Sequence, residues 1–146
     1  MGSVQFHREK RRDLGWLYST VVLDVAPAAL HDPVFRTITL YDGTFAYAEP
    51  RGTIVHELAH AWDSRSWASE SIGEFVGGEF RPTDYAYTNP LEHWAETLQY
   101  SVYPDADVKV RAQHQQYAAL AVQGRIPLPT WYTDFCRFHG IAYYGQ

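Results

Sequence analysis

The sequence predicts an α+β domain in which a small β-sheet packs on one well-formed helix and the C-terminal half is mostly helical. Three observations carry this. Phe35–Leu40 and Thr44–Ala48 alternate apolar and polar residues around Tyr41-Asp42-Gly43, the pattern of a hairpin over residues 35–48. Ile54, Val55, Leu58, Ala61 and Trp62 fall on one broad helical face. From Asn89 onward, helix caps and breakers punctuate the chain at helical lengths.

The 146 residues, 46% of them hydrophobic, suit one domain spanning residues 1–146, able to bury roughly two thirds of its unfolded surface. A net charge of −5 leaves no electrostatic footprint for nucleic acid. No run approaches the roughly 18 apolar residues of a membrane span, and the N-terminal stretch does not read as a signal peptide. A soluble, monomeric protein is expected. Its compartment stays open: secreted if a leader has been removed, cytoplasmic otherwise. The single cysteine, Cys136, excludes an internal disulfide and a thiolate-only metal site, and is expected to be a small buried apolar residue.

In chain order, the basic cluster His7, Arg8, Lys10, Arg11 and Arg12 reads as a solvated helix face or a poorly ordered end. A first helix is expected over residues 13–31 from Leu14, Leu17, Val21, Val22 and Val25, interrupted at Pro27. The hairpin follows, then the helix around 54–62. Residues 64–88, with Gly73, Gly77, Gly78 and Pro82 and no sustained period, read as a long excursion with a small hairpin at Gly77-Gly78. Asn89 as N-cap, Pro90 at the first helical position and Glu92 three residues past the cap open a helix to about Tyr103. A further helix is expected from Pro104 to Gly124, and a last one over 130–138 closed by Gly140.

The chemistry is concentrated in His56-Glu57-Leu58-Ala59-His60. This pattern is expected by chance only ~0.02 times in a chain of this composition, and it sits inside the best helix. At 100° per residue His60 lies about 40° and Glu57 about 100° from His56, while the apolar residues fall between about 140° and 300°. Ligands and core are therefore expected on opposite faces. Two neutral imidazoles one turn apart can converge on one Zn²⁺, leaving positions for another ligand and a water. Glu57 is then placed to take a proton from that water.

The third ligand must come from elsewhere. A histidine six residues past His60, after a glycine, is the metzincin arrangement, and Asp63 and Ser66 occupy those positions instead. Glu92 and Glu96, one turn apart beside an apolar stripe of Leu91, Trp94, Ala95, Leu98 and Val102, are the best remaining source. Glu92 has a competing use, completing a capping box with Asn89. His93 points away from the stripe and is expected at the surface; His7, His31, His114 and His139 have no matching partner.

The motif, followed by Tyr85-Ala-Tyr-Thr-Asn89-Pro-Leu-Glu92-His-Trp-Ala-Glu96, resembles the active site of the gluzincin-type zinc endopeptidases, in particular the lethal-factor-like group that includes the Pro-Pro endopeptidases. The resemblance runs from about residue 24 to 138, with the motif positions diagnostic. It implies a zincin-like fold binding one zinc ion per chain through His56, His60 and Glu92. Glu57 would be general base, Glu96 a support for a ligating histidine, and Tyr85 a donor to the tetrahedral intermediate, with Tyr87 its nearest substitute. The substrate would be a peptide or protein. Thr44, Phe45, Ala46, Tyr47 and Ala48 would form an edge strand to which it adds. The chain differs from larger members in having only about 50 residues before the motif. Two other readings stay open: a non-catalytic module stabilised by zinc, and a zinc hydrolase acting on a non-protein amide. Glu57 weighs against the first, since a structural zinc site needs no base.

Overall fold

The computed structural model describes residues 5–9, 29–32, 37–41, 50–77 and 80–141. These are mostly helical: α1 (Pro50–Ser66), α2 (Ala68–Val76), α3 (Pro90–Val102), α4 (Ala112–Val122) and α5 (Thr130–His139), with a single 3₁₀ turn at Tyr85–Tyr87. No described helix is long and apolar enough to cross a membrane.

Three short strands, β1 (Gln5–Glu9), β2 (Ala29–Asp32) and β3 (Thr37–Tyr41), pair in the order β1-β3-β2. β3 runs parallel to β1, with Gln5 opposite Thr37, and antiparallel to β2, with Ala29 opposite Leu40. This corrects three expectations. The basic N-terminal cluster contributes a strand at Gln5–Glu9 and not a helix face. Residues 29–31 of the expected first helix are instead strand, in Ala29–Asp32; residues 13–28 lie outside the described residues. The first strand of the hairpin is also reassigned: β3 pairs with β1 on one edge and with β2 on the other. Thr44–Ala48, the expected return strand, lie outside the described residues. Period 2 does hold within β3, where Ile38 and Leu40 are buried against Ile54, Leu58 and Ala61 of α1.

α1 is longer than its apolar period indicates, and it is covered on more than one side. Ile54, Leu58 and Ala61 meet the sheet, while Val55 and Ala59 join the main core with Ile72, Trp94, Leu98 and Tyr117. Residues 64–88 are not one excursion. Trp67 breaks α1 with φ 59°, a left-handed conformation rare for so bulky a residue, and α2 starts at the next residue. Asp63 caps that start from the preceding helix: its carboxylate accepts from Ser69 N–H at 2.5 Å and from Ser69 Oγ at 2.9 Å. Gly77, expected in a hairpin, ends α2 with φ 63°.

α3 is the central helix, and its six consecutive residues His93 to Leu98 are all buried. Neighbours on every side remove the polar face that an amphipathic reading requires. α4 starts at Ala112 and not at Pro104, because the Asp105 carboxylate accepts from Asp107 N–H at 2.8 Å and holds a turn there. α5 ends as expected on Gly140 in the left-handed region, and Cys136 is buried on its inner side.

Candidate metal centre

α1 and α3 lie antiparallel, and their register builds the site. At one end Gly52 faces Gln99 so closely that a Cβ at Gly52 would lie 3.2 Å from Gln99 Nε2. In the middle the Trp94 indole N–H donates to Ala59 C=O at 2.9 Å. Between and beyond these contacts the histidines of α1 meet the glutamates of α3.

His56 Nε2 lies 3.0 Å from Glu92 Oε2, His60 Nε2 lies 3.2 Å from His56 Nε2, and His60 Nε2 lies 3.5 Å from Glu92 Oε2. Two helices 36 residues apart in sequence thus bring three donor atoms into one triangle, the one such group of His, Cys, Asp and Glu among the described residues. Donors about 2.0–2.1 Å from a tetrahedral zinc stand about 3.3 Å from one another. The observed edges bracket that value, so the set can hold such a cation.

The electrostatics point the same way. Burial alone would lower the His56 pKa, but hydrogen bonds to Glu92 and Glu96 and the charge of both carboxylates outweigh it and raise it to about 9. Burial would raise Glu92, yet hydrogen bonds from His56 and His60 and their charge hold it at about 2. The triangle therefore carries a standing attraction for positive charge. The expectation that ligands and core take opposite faces fails here: His56 and Glu57 are both buried, since the ligand face of α1 is the face packed on α3.

The double use of Glu92 resolves into a division of labour. Its backbone N–H donates to Asn89 Oδ1 at 3.0 Å, as an N-cap requires, while its carboxylate turns to the histidines and not back to the cap. Glu96, one turn on, accepts from His56 Nδ1 at 3.1 Å. That bond fixes the His56 tautomer and aims Nε2 into the triangle. The structure adds a residue that sequence reasoning missed. Thr83 Oγ1 donates to Glu96 Oε2 at 2.7 Å and accepts from Ala86 N–H at 3.1 Å, tying Glu96 to the 3₁₀ turn. A threonine thirteen residues upstream in a loop leaves no local signal of this.

That turn carries Tyr85, whose ring centroid lies 6.1 Å from His56. Burial, the charge of Glu92 and a hydrogen bond to it, and the charges of Glu57 and Glu96 push its phenol up to about 12. Tyr87, two residues on, has its ring 6.0 Å from the Arg81 guanidinium. His93, expected at the surface, is 1% exposed and lies with Nε2 3.1 Å from His114 Nε2. Both belong to a second histidine pair outside the triangle.

Compared with family models, curated proteins and solved structures, the chain matches none of them.

Proposed function

We propose that this domain is a zinc-dependent endopeptidase with a zincin-like α+β architecture. The observation that carries the reading is the triangle of His56 Nε2, His60 Nε2 and Glu92 Oε2, with the buried Glu57 beside it on α1. Those three atoms would hold the zinc, which supplies the Lewis acidity that lets a water be deprotonated near neutral pH.

The chain's own residues do the rest. Glu57 accepts the proton of the attacking water and returns it to the leaving amine nitrogen. Tyr85, its phenol protonated throughout the physiological range, donates a hydrogen bond to the carbonyl oxygen as negative charge builds on it. Glu96 keeps His56 Nδ1 protonated and the ring in place, and Thr83 keeps Glu96 in place. Three protein donors leave room for water and substrate, whereas a purely structural zinc normally fills all four positions with protein.

The test is a peptide-library digest read by mass spectrometry, with the zinc-loaded chain, the chelated chain and Glu57→Gln. Cleavage by the first alone is expected. Glu57→Gln should lose turnover by at least about 10²-fold while keeping its zinc. Zinc binding without cleavage of any peptide would overturn the peptidase reading.

A further inference from the structure

Beside the triangle lies a cleft of about 470 Å³ that the reaction described above does not use. Asp63, Trp67 and Glu70 form one wall, and Asn89, Pro90 and Leu91 form the other. Asp63 is three residues past His60, about 4.5 Å along α1, and Leu91 immediately precedes Glu92. The cleft therefore lies about one turn further along α1, and at the start of α3, from the residues of the triangle. A peptide spanning the triangle would place a side chain in it.

The walls specify which side chain. Asp63 and Glu70 bring two carboxylates, and among the described residues the lining contains no Lys or Arg. The N-termini of α2 and α3 also open here, each worth roughly half a positive charge. Among these described groups, two full negative charges stand against about one positive, so negative charge prevails. Each Asp63 carboxylate oxygen already accepts one bond from Ser69, so the exposed Glu70 is the more available acceptor for a ligand. Trp67 supplies the apolar surface. Tyr132 stacks on its indole at 5.7 Å and Trp131 meets it edge-on at 5.4 Å, so the ring is held from α5 while it lines the cleft.

We infer that this cleft is a substrate subsite taking a long cationic side chain, arginine in preference to lysine. The guanidinium is planar, stacks on an indole face and gives two parallel N–H groups to one carboxylate; an ammonium does neither and holds its water more strongly. The inference rests on the peptidase reading for its biological meaning, but the binding can be measured without turnover.

Two measurements separate the two ideas. In the library digest, arginine should be enriched at one fixed position near the cleaved bond, and Glu70→Gln should remove the enrichment. Cleavage with no basic preference would overturn the subsite and leave the peptidase reading standing. The second measurement uses the zinc-loaded Glu57→Gln chain, titrated by calorimetry with blocked octapeptides that differ only in arginine or citrulline, which share shape but not charge. Arginine should bind roughly five- to thirtyfold more tightly, the combined effect of one exposed ion pair and one cation–π contact. Glu70→Gln and Trp67→Leu should each shrink that ratio. Equal binding of the two peptides would overturn the subsite even if the enzyme cuts nothing.

Discussion

Two pairs of histidines in this domain meet with almost the same geometry and opposite character. His56 and His60 bring their Nε2 atoms to 3.2 Å, and His93 and His114 bring theirs to 3.1 Å. The first pair faces Glu92 and Glu96, which outweigh burial and raise His56 to about 9. In the second pair burial acts first, and Arg81 and the neighbouring His114 add to it, lowering His93 to about 3. Burial, Arg111 and Arg81 lower His114 as well. One neutral imidazole donates to the other there, and no further proton is wanted. The two pairs thus share the distance between imidazoles and differ in the sign of the charge around them, and only the first offers an anionic environment to a cation.

Removing that charge should break the contrast most sharply. Glu92→Gln turns the first pair into a neutral environment like the second, and zinc affinity should fall by more than the 10- to 100-fold that loss of a supporting partner costs. Competition with a chelator of known affinity checks this, and His114→Gln should leave zinc affinity within a few fold. A zinc loss in His114→Gln equal to that in Glu92→Gln would place the metal at the wrong pair.

On the proposed mechanism Tyr85→Phe should lower kcat by about 10²-fold with little change in KM, the phenol being used there only as charge develops on the substrate. A larger loss in Tyr87→Phe would mean that the 3₁₀ turn presents the other ring in the complex. Glu96→Gln should retain zinc at about 10- to 100-fold lower affinity. Thr83→Val should move affinity in the same direction by less, and Thr83→Ser should restore it.

The second pair makes its own prediction in acid. Both its pKa values lie below the unfolded histidine value of about 6.5, so the unfolded chain binds more protons as pH falls beneath that value. Its contribution is complete above pH 6.5 and is lost as pH falls, for His93 toward about pH 3 at up to about 1.4 kcal/mol per pH unit, with His114 adding in the same direction. Urea unfolding of the chelated chain at a series of pH values measures it. His114→Gln should flatten the slope below pH 6.5, and an unchanged slope would contradict the assignment. The smallest effect expected is for Arg111→Gln, which removes one of the two positive charges acting on His114 and should raise its pKa by NMR titration.

Features set by short-range spacing were legible in the sequence. The His56–His60 motif needs one helical turn, and Asn89-Pro90 with Glu92 three residues on needs only a cap, so the two halves of the site could be read before their contact was known. The pairing of His93 with His114, the reach of Asp63 to Ser69 and the bond from Thr83 to Glu96 are tertiary, and no period encodes them. An apolar stripe on α3 implies an exposed His93, but a helix enclosed by α1, α2, α4 and the 3₁₀ turn has no stripe. β3 showed its alternation plainly, but alternation says which face is buried and not which strand lies alongside, hence the reassigned hairpin.

The antiparallel register of α1 on α3 has a consequence for which glutamate does which task. Glu92 and Glu96 carry the same group one turn apart, so a ratchet of α3 by about 5.4 Å along α1 would bring Glu96 to the place of Glu92. The motif itself holds nothing that forbids this frame shift. What holds the frame are the Trp94 bond to Ala59 and the close passage of Gly52 by Gln99, where a single added methyl would have to displace the amide. Which glutamate joins the two histidines in the triangle is thus decided by contacts that lie outside it.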